Sequence, residues 1–214
     1  MLDIKRFVVN PFQENCYVVS DATGEAVVID CGAYYPEERN ALTDYIRQKK
    51  LAPRHLLATH AHIDHNFGND TMLAAFGLKP EVCVADAQLM ATLAEQAEAL
   101  CGIRLGYDLP APSRLLTDGD TISFGQHALQ VVATPGHSPG SVFFTCAEEG
   151  VAFSGDTLFC GSIGRTDFWQ GSYGDIVSSL ARIKELLPAD TAILPGHGPQ
   201  TTMARELSSN PYMR

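Results

Sequence analysis

The chain predicts an α+β fold of four layers, a four-layer αββα sandwich of two β-sheets with helices on their outer faces. Three observations predict it. Short β-rich runs open each half and helical periodicities follow them; the second half carries two hairpin patterns; and several β-runs end abruptly at glycine-bearing turns. The 214 residues are 45% apolar, which fits one globular domain over 1–214 with a substantial core and argues against wholesale disorder.

FVVN, CYVVS and AVVIDCG read as the first strands, separated by NP and DATG turns. From Pro36 to Lys50, Ala41, Leu42, Tyr45 and Ile46 recur at helical spacing, with Pro36 suited to a first turn. HLLAT is a buried strand, Asn69 to Phe76 a helix and VCVA a further strand. Asp86 to Leu100 reads as one alanine-rich helix with Asp86 as N-cap, and Gly102 to Leu115 as loop. In LTDGDTISFGQHALQVVATPGH the DGD turn suggests a hairpin; SVFFTCAEEGVAFSGD suggests a second, turning at AEEG. Gly161 to Gly171 is a glycine-bearing loop, Tyr173 to Leu187 a helix closed by Pro188, TAILPGHGP a strand, and a short helix begins near Thr202.

Composition excludes several functions. The formal charge of −10 tells against nucleic acid, whose phosphates demand concentrated Lys and Arg. No apolar run is long enough to span a bilayer, and MLDIKRFVVN lacks the apolar core of a signal peptide, so a cytoplasmic location is expected. Six scattered cysteines without a C-x-x-C pair read as free thiols. Oligomeric state is not legible.

Chemistry concentrates in ATHAHIDHN, where three of the seven histidines stand beside an aspartate. As a polar loop it would need one cap, which does not explain three imidazoles; metal does. Alternate residues of an extended chain point the same way, so His60 and His62 can share one ion, while Asp64 and His65, past the bend, can face a second. His137, His197 and Asp156 occupy the same context, each following a β-run at a glycine turn, so strand ends can bring them to one rim. Nitrogen-rich ligands suit zinc, and iron or manganese when carboxylates join. His55 and His127 fall in or at the start of strands without such turns and read as structural.

THAHIDH, TPGHSPGS, FSGDTLF and LPGHGP together resemble the ligand motifs of the metallo-β-lactamase superfamily, in order and across nearly the whole chain. GDTLFCGSIGRTDFWQGS is especially similar to the short, single-domain glyoxalase II branch, hydroxyacylglutathione hydrolase-like enzymes. The resemblance implies the αββα fold and two divalent ions, zinc first. His60, His62 and His137 would bind one, Asp64, His65 and His197 the other, and Asp156 would bridge them. It implies hydrolysis of a small-molecule thioester such as S-D-lactoylglutathione by a metal-bound hydroxide, with Asp64 orienting the nucleophile as well as ligating. Two divalent ions against two carboxylates and a hydroxide leave about one positive charge to favour that hydroxide near neutral pH. Ser138 and Ser154 read as turn residues.

Full-length glyoxalase II carries a C-terminal helical extension that contacts glutathione. With the sequence ending at Arg214, replacement contacts are expected from the loop after Asp156 or from Ala87–Pro112. Arg165 is the candidate for a substrate carboxylate; the alternative is that it pairs with Asp167 or Asp175 and braces the loop. Phe168 and Trp169 would wall the pocket or pack the loop down. The same superfamily contains persulfide dioxygenases with one iron on residues corresponding to His60, His137 and Asp156, and hydrolases of other esters and lactones. A purely structural metal domain would be closed and richer in cysteine.

Overall fold

Two six-stranded sheets carry the fold in this computed structural model, which describes residues 1–213. The first sheet runs in chain order: β1 (Asp3–Val9), β2 (Glu14–Ser20), β3 (Glu25–Ile29), β4 (Ala52–Leu57), β5 (Pro80–Cys83) and β6 (Arg114–Leu116). β1 to β3 are antiparallel; β3 to β6 are parallel, so each needs a crossover. α1 (Pro36–Gln48) and α2 (Asn69–Phe76) supply the first two. Pro36 opens α1 as expected, and Glu38 accepts from the backbone N–H of Tyr34, Tyr35 and Asn10.

The second sheet begins with β7 (Thr121–Phe124), β8 (His127–Ala133), β9 (Val142–Cys146) and β10 (Val151–Gly155), each antiparallel to the next. A small hairpin, β11 (Leu158–Phe159) and β12 (Ser162–Ile163), stands apart. β13 (Ala192–Pro195) then pairs parallel with β10, and β14 (Thr201–Thr202) closes that edge.

Alternation fills three interfaces. Val27 and Ile29 point inward to meet Phe144, Phe153 and Leu129 of the facing sheet, whereas Ala26 and Val28 point outward to Leu42, Ile46 and Met72. On the far side, α5 (Tyr173–Leu186) and α6 (Met203–Ser209) lay Leu180, Ile183 and Met203 on Phe143, Ala152 and Ile193. The result is the four-layer α+β sandwich.

Two expectations need correction. The helix read over Asp86–Leu100 is broken: a 3-10 turn at Val84–Asp86, α3 (Ala87–Met90) and α4 (Leu93–Cys101). The N–H groups of Ala91 and Thr92 bond to carbonyls three residues back, which ends α3 and re-aims α4. Nor does Asp86 make a cap bond. Its buried carboxylate accepts from Ala61 N, Gly140 N and Ser138 Oγ at 2.6–2.9 Å, partners far along the chain. The DGD stretch is a turn, but it passes the chain from β6 in one sheet to β7 in the other; the hairpin β7–β8 turns at Gly125–Gln126. The AEEG hairpin is as read.

Candidate metal centre

The ends of four strands build the site. β8, β10 and β13 run in one direction, so the residues after them, His137, Asp156 and His197, emerge on the same rim. After β4 the chain bends at Thr59–His60, is extended at His62 and then tightens into a 3-10 turn at Ile63–His65, delivering the remaining four ligands from one loop. Asn15 N donates to Gly196 O at 2.7 Å, tying the first sheet to the loop that carries His197. Gly196 is needed there for space: a Cβ would overlap Asp156 Oδ1 and His65 Cε1.

All seven residues expected from the sequence come together. Ligand atoms of His60, His62 and His137 lie within 4.8 Å of one another, as do those of Asp64, His65 and His197, and those of His60, His65 and Asp156. Asp156 stands between the two sets, 3.4 Å from His65 Nε2, 3.5 Å from His197 Nε2 and 3.6 Å from His137 Nε2.

The outer nitrogens are committed elsewhere. His137 Nδ1 donates to Arg165 O at 2.8 Å and His197 Nδ1 to Phe12 O at 3.0 Å; carbonyls only accept, so each Nε2 presents a lone pair inward. His65 Nδ1 lies 3.1 Å from Asp30 Oδ2, and its Nε2 has no partner. His60 Nε2 and Asp156 Oδ1 are likewise buried and unpartnered. His62 Nδ1 faces His137 Nε2 at 2.9 Å. Buried acceptors turned toward a common centre without donors are costly unless a cation sits among them, and five imidazoles with two carboxylates are a donor set for a divalent metal. The residues fit metal.

Electrostatics divide the cluster, leaving His60 and His62 as neutral acceptors while the carboxylates draw positive charge toward His65. Burial, with His65 and the other imidazoles around it, keeps His60 well below the usual histidine range. Burial and His137 bring His62 down to about 4. Burial alone would push His65 down too, yet Asp156, Asp64 and Asp30 hold it above its ordinary value. Against their own burial, Asp156 and Asp64 are lowered chiefly by His65.

Three carboxylates at the site were missed as such in the sequence. Asp30 accepts from Thr59 N and Thr59 Oγ1, both at 2.7 Å, and orients His65; Thr59 Oγ1 in turn lies 3.0 Å from His60 Nδ1. A partial signal was present: an acid at the end of an apolar run with a glycine nearby, Gly32 after Asp30 as Gly155 precedes Asp156. Asp86 straps the His60–His62 loop to the His137 loop. Glu14 is fully buried beside His65, both oxygens without hydrogen-bond partners, and burial raises its carboxyl well above the usual range.

A cavity of about 600 Å3 opens over the cluster, lined by His62, Asp64, Leu100, Cys101, Phe159, Arg165 and Phe168 among others. Both segments expected to supply substrate contacts therefore reach it. Arg165 pairs bidentately with Asp167, not Asp175, and stacks on Phe168 with its guanidinium carbon 3.9 Å from the ring centre. Trp169 is not packed down; it is 67% exposed. Ser138, in the loop after β8, donates to Asp86; Ser154, expected in a turn, lies within β10 and donates to Leu158 O. His55 and His127 lie elsewhere, on Glu81 and on Asp21 with Glu149.

A sandwich with a histidine–aspartate cluster on one rim defines a metal-dependent hydrolase of known architecture. The chain belongs to the metallo-beta-lactamase superfamily, which residues 9–197 match. It is similar to the hydroxyacylglutathione hydrolase GloC of Haemophilus influenzae, with 34% identity over 99% of this chain and 98% of that protein. Among solved structures, BLEG-1 B3 metallo-beta-lactamase is 32% identical with a TM-score of 0.88, covering 100% of this chain and 99% of the other. TTHA1623 in a di-iron-bound form is 36% identical with a TM-score of 0.86, covering 97% and 99%. All six cysteines are free thiols, and among the described residues no helix is long and apolar enough to cross a membrane.

Proposed function

We propose that this protein is a binuclear thioester hydrolase acting on a small molecule of the S-D-lactoylglutathione type. The observation that carries the reading is the ring of inward, unpartnered acceptors: His60 Nε2, His65 Nε2 and Asp156 Oδ1 at the junction of two three-residue groups. His60, His62 and His137 would hold one divalent ion, Asp64, His65 and His197 would hold the other, and Asp156, between the two sets, would serve both. Zinc suits the donors best and iron is the nearest alternative, in line with the di-iron form of TTHA1623. Full-length similarity to GloC favours a thioester over the lactam of the lactamase neighbour.

When bound, two divalent ions lower the pKa of a water and polarise a carbonyl oxygen. The chain's own groups do the rest. Asp64 Oδ2, 3.2 Å from His197 Nε2 and lining the cavity, orients the attacking water and accepts a hydrogen bond from it. Asp30, Phe12 O and Arg165 O fix the imidazoles, so the donors need no reorganisation during reaction. Water adds to the thioester carbonyl, the carbon–sulfur bond breaks, and the products are a carboxylic acid and a thiol. Arg165 offers its guanidinium to a substrate carboxylate by exchanging it for Asp167.

The test is thiol release from S-D-lactoylglutathione by protein loaded with two equivalents of zinc or iron. Metal-dependent turnover is expected, with Arg165→Ala raising KM while the fold persists. Absence of turnover with either metal rejects the assignment.

A further inference from the structure

The catalytic cavity has a side chamber that the thioester reaction by itself does not call for. It measures about 340 Å3 and is lined by Leu89, Thr92, Ala99, Leu100, Phe168 and Trp169, with His62 and Gln96 in its wall and Glu95 at its edge. It shares His62, Leu100 and Phe168 with the catalytic cavity, so the two adjoin across these side chains. Phe168 is the partition: its ring packs edge-on to His62 with centroids 5.5 Å apart.

Leu100 and Trp169 are 53% and 67% exposed. Large apolar side chains left exposed beside a pocket are better explained as a binding surface than as core. The charges point the same way. Among the described residues lining either space, Arg165 is the only cation, and Asp167 already holds it in a two-pronged pair. Asp64 and Asp156 belong to the proposed metal set, and the one carboxylate of the chamber itself is Glu95 at its edge. The chamber itself therefore offers an anionic group no Lys or Arg, whereas an uncharged aliphatic or aromatic group finds a matched wall.

We infer that the chamber is a specificity pocket for an apolar group attached to the scissile thioester, entering past Phe168 while the carbonyl lies over the histidine cluster. This rests on the thioester reading and narrows it to thioesters with an apolar arm. At about 30 Å3 per small group, as for water, the volume takes on the order of ten non-hydrogen atoms, a medium aliphatic chain or a phenyl-bearing group. The arm belongs to the acyl or to the thiol side, and the two are separable by experiment.

Two substrate series on the zinc-loaded protein test this: acetyl to octanoyl thioesters of N-acetylcysteamine, and acetyl thioesters of ethanethiol to octanethiol. In the series whose arm enters, kcat/KM should rise about fourfold per methylene until the chamber is full. Ala99→Phe, placed on the chamber wall, should collapse the ratio of long-chain to short-chain kcat/KM. Trp169 is the sole tryptophan, so octanoate should shift its emission to shorter wavelength and acetate should not. A flat or falling profile in both series, or emission that octanoate leaves unchanged, overturns the inference. Failure to hydrolyse any thioester would instead remove the underlying reaction, leaving the Trp169 titration to decide the chamber by itself.

Discussion

Asp30 shows how one side chain outside the ligand set governs it. Its two oxygens accept from Thr59 N, Thr59 Oγ1 and His65 Nδ1, so it fixes the ring of one predicted ligand directly and reaches a second through Thr59. The residue adopts φ of 54°, a left-handed conformation that aspartate tolerates better than most residues and that turns the carboxylate back toward the loop. Asp30→Asn retains one acceptor for Thr59 N but brings an N–H against His65 Nδ1. The expected outcome is a folded protein whose metal affinity, read by competition with a chromophoric chelator, falls about 10- to 100-fold. Unchanged affinity would mean that Asp30 serves the loop alone. The seven proposed ligands were legible because imidazole has few structural uses at a strand end. Asp30 and Asp86 were not, because an isolated carboxylate in sequence has many roles, capping among them.

At the scale of elements, the break between α3 and α4 matters more than either helix. Gln96, buried on α4, accepts from Ile63 N and donates to Ala61 O and Leu89 O, clamping the helix onto the ligand loop. Gln96→Leu keeps the volume and strands Ile63 N and Ala61 O, while Leu89 O keeps its bonds from Thr92. At roughly 1–3 kcal/mol for each of the two buried polar groups left unpaired, a loss of about 2–6 kcal/mol is expected in denaturant unfolding. Faster amide exchange over residues 60–66 should accompany it; a stability loss without that loosening would place the clamp's effect in α4 rather than the loop. Nothing local announces this break. The segment has no proline or glycine before Gly102, and its helical propensity is high. Asp86 keeps the N-cap position of α3 but not the cap bond, because Ala61, Ser138 and Gly140 take its carboxylate, and those partners exist only once both sheets are in place. The DGD turn was read as a hairpin for a similar reason: turn chemistry is local, whereas the choice of sheet for the next strand is not. Strand alternation and the helices α1, α2 and α5 were legible because burial of one face writes itself into period.

For the whole molecule, the join between the two sheets far from the metal centre is a charged lock. Asp21, in the turn after β2, accepts from Gln126 N and pairs with His127 Nδ1 at 3.0 Å, while His127 Nε2 lies 3.0 Å from Glu149. The hydrogen bond to Asp21, aided by Glu149, raises His127 above the usual histidine range against the opposing effect of burial. Hydrogen bonds from Gln126, Thr23 and His127 hold Asp21 well below the carboxylate range, again against burial. A raised histidine stabilises fully below its unfolded pKa of about 6.5, and that contribution is lost as pH climbs through the folded value. A lowered aspartate stabilises above about 3.9 and is lost as pH falls through its folded value. The lock is therefore strongest between roughly pH 4 and 6.5. His127→Gln keeps a polar side chain but not the charge. Thermal unfolding of metal-free protein should show the variant melting about 2–4 °C below the parent for each kcal/mol lost, with the widest gap near pH 5.5 and a narrow one at pH 9. A gap constant across that range would assign the residue's contribution to packing rather than charge. Because the metal ligands lie on the opposite rim, the same comparison on metal-loaded protein should raise both melting curves while leaving their separation at pH 5.5 in place.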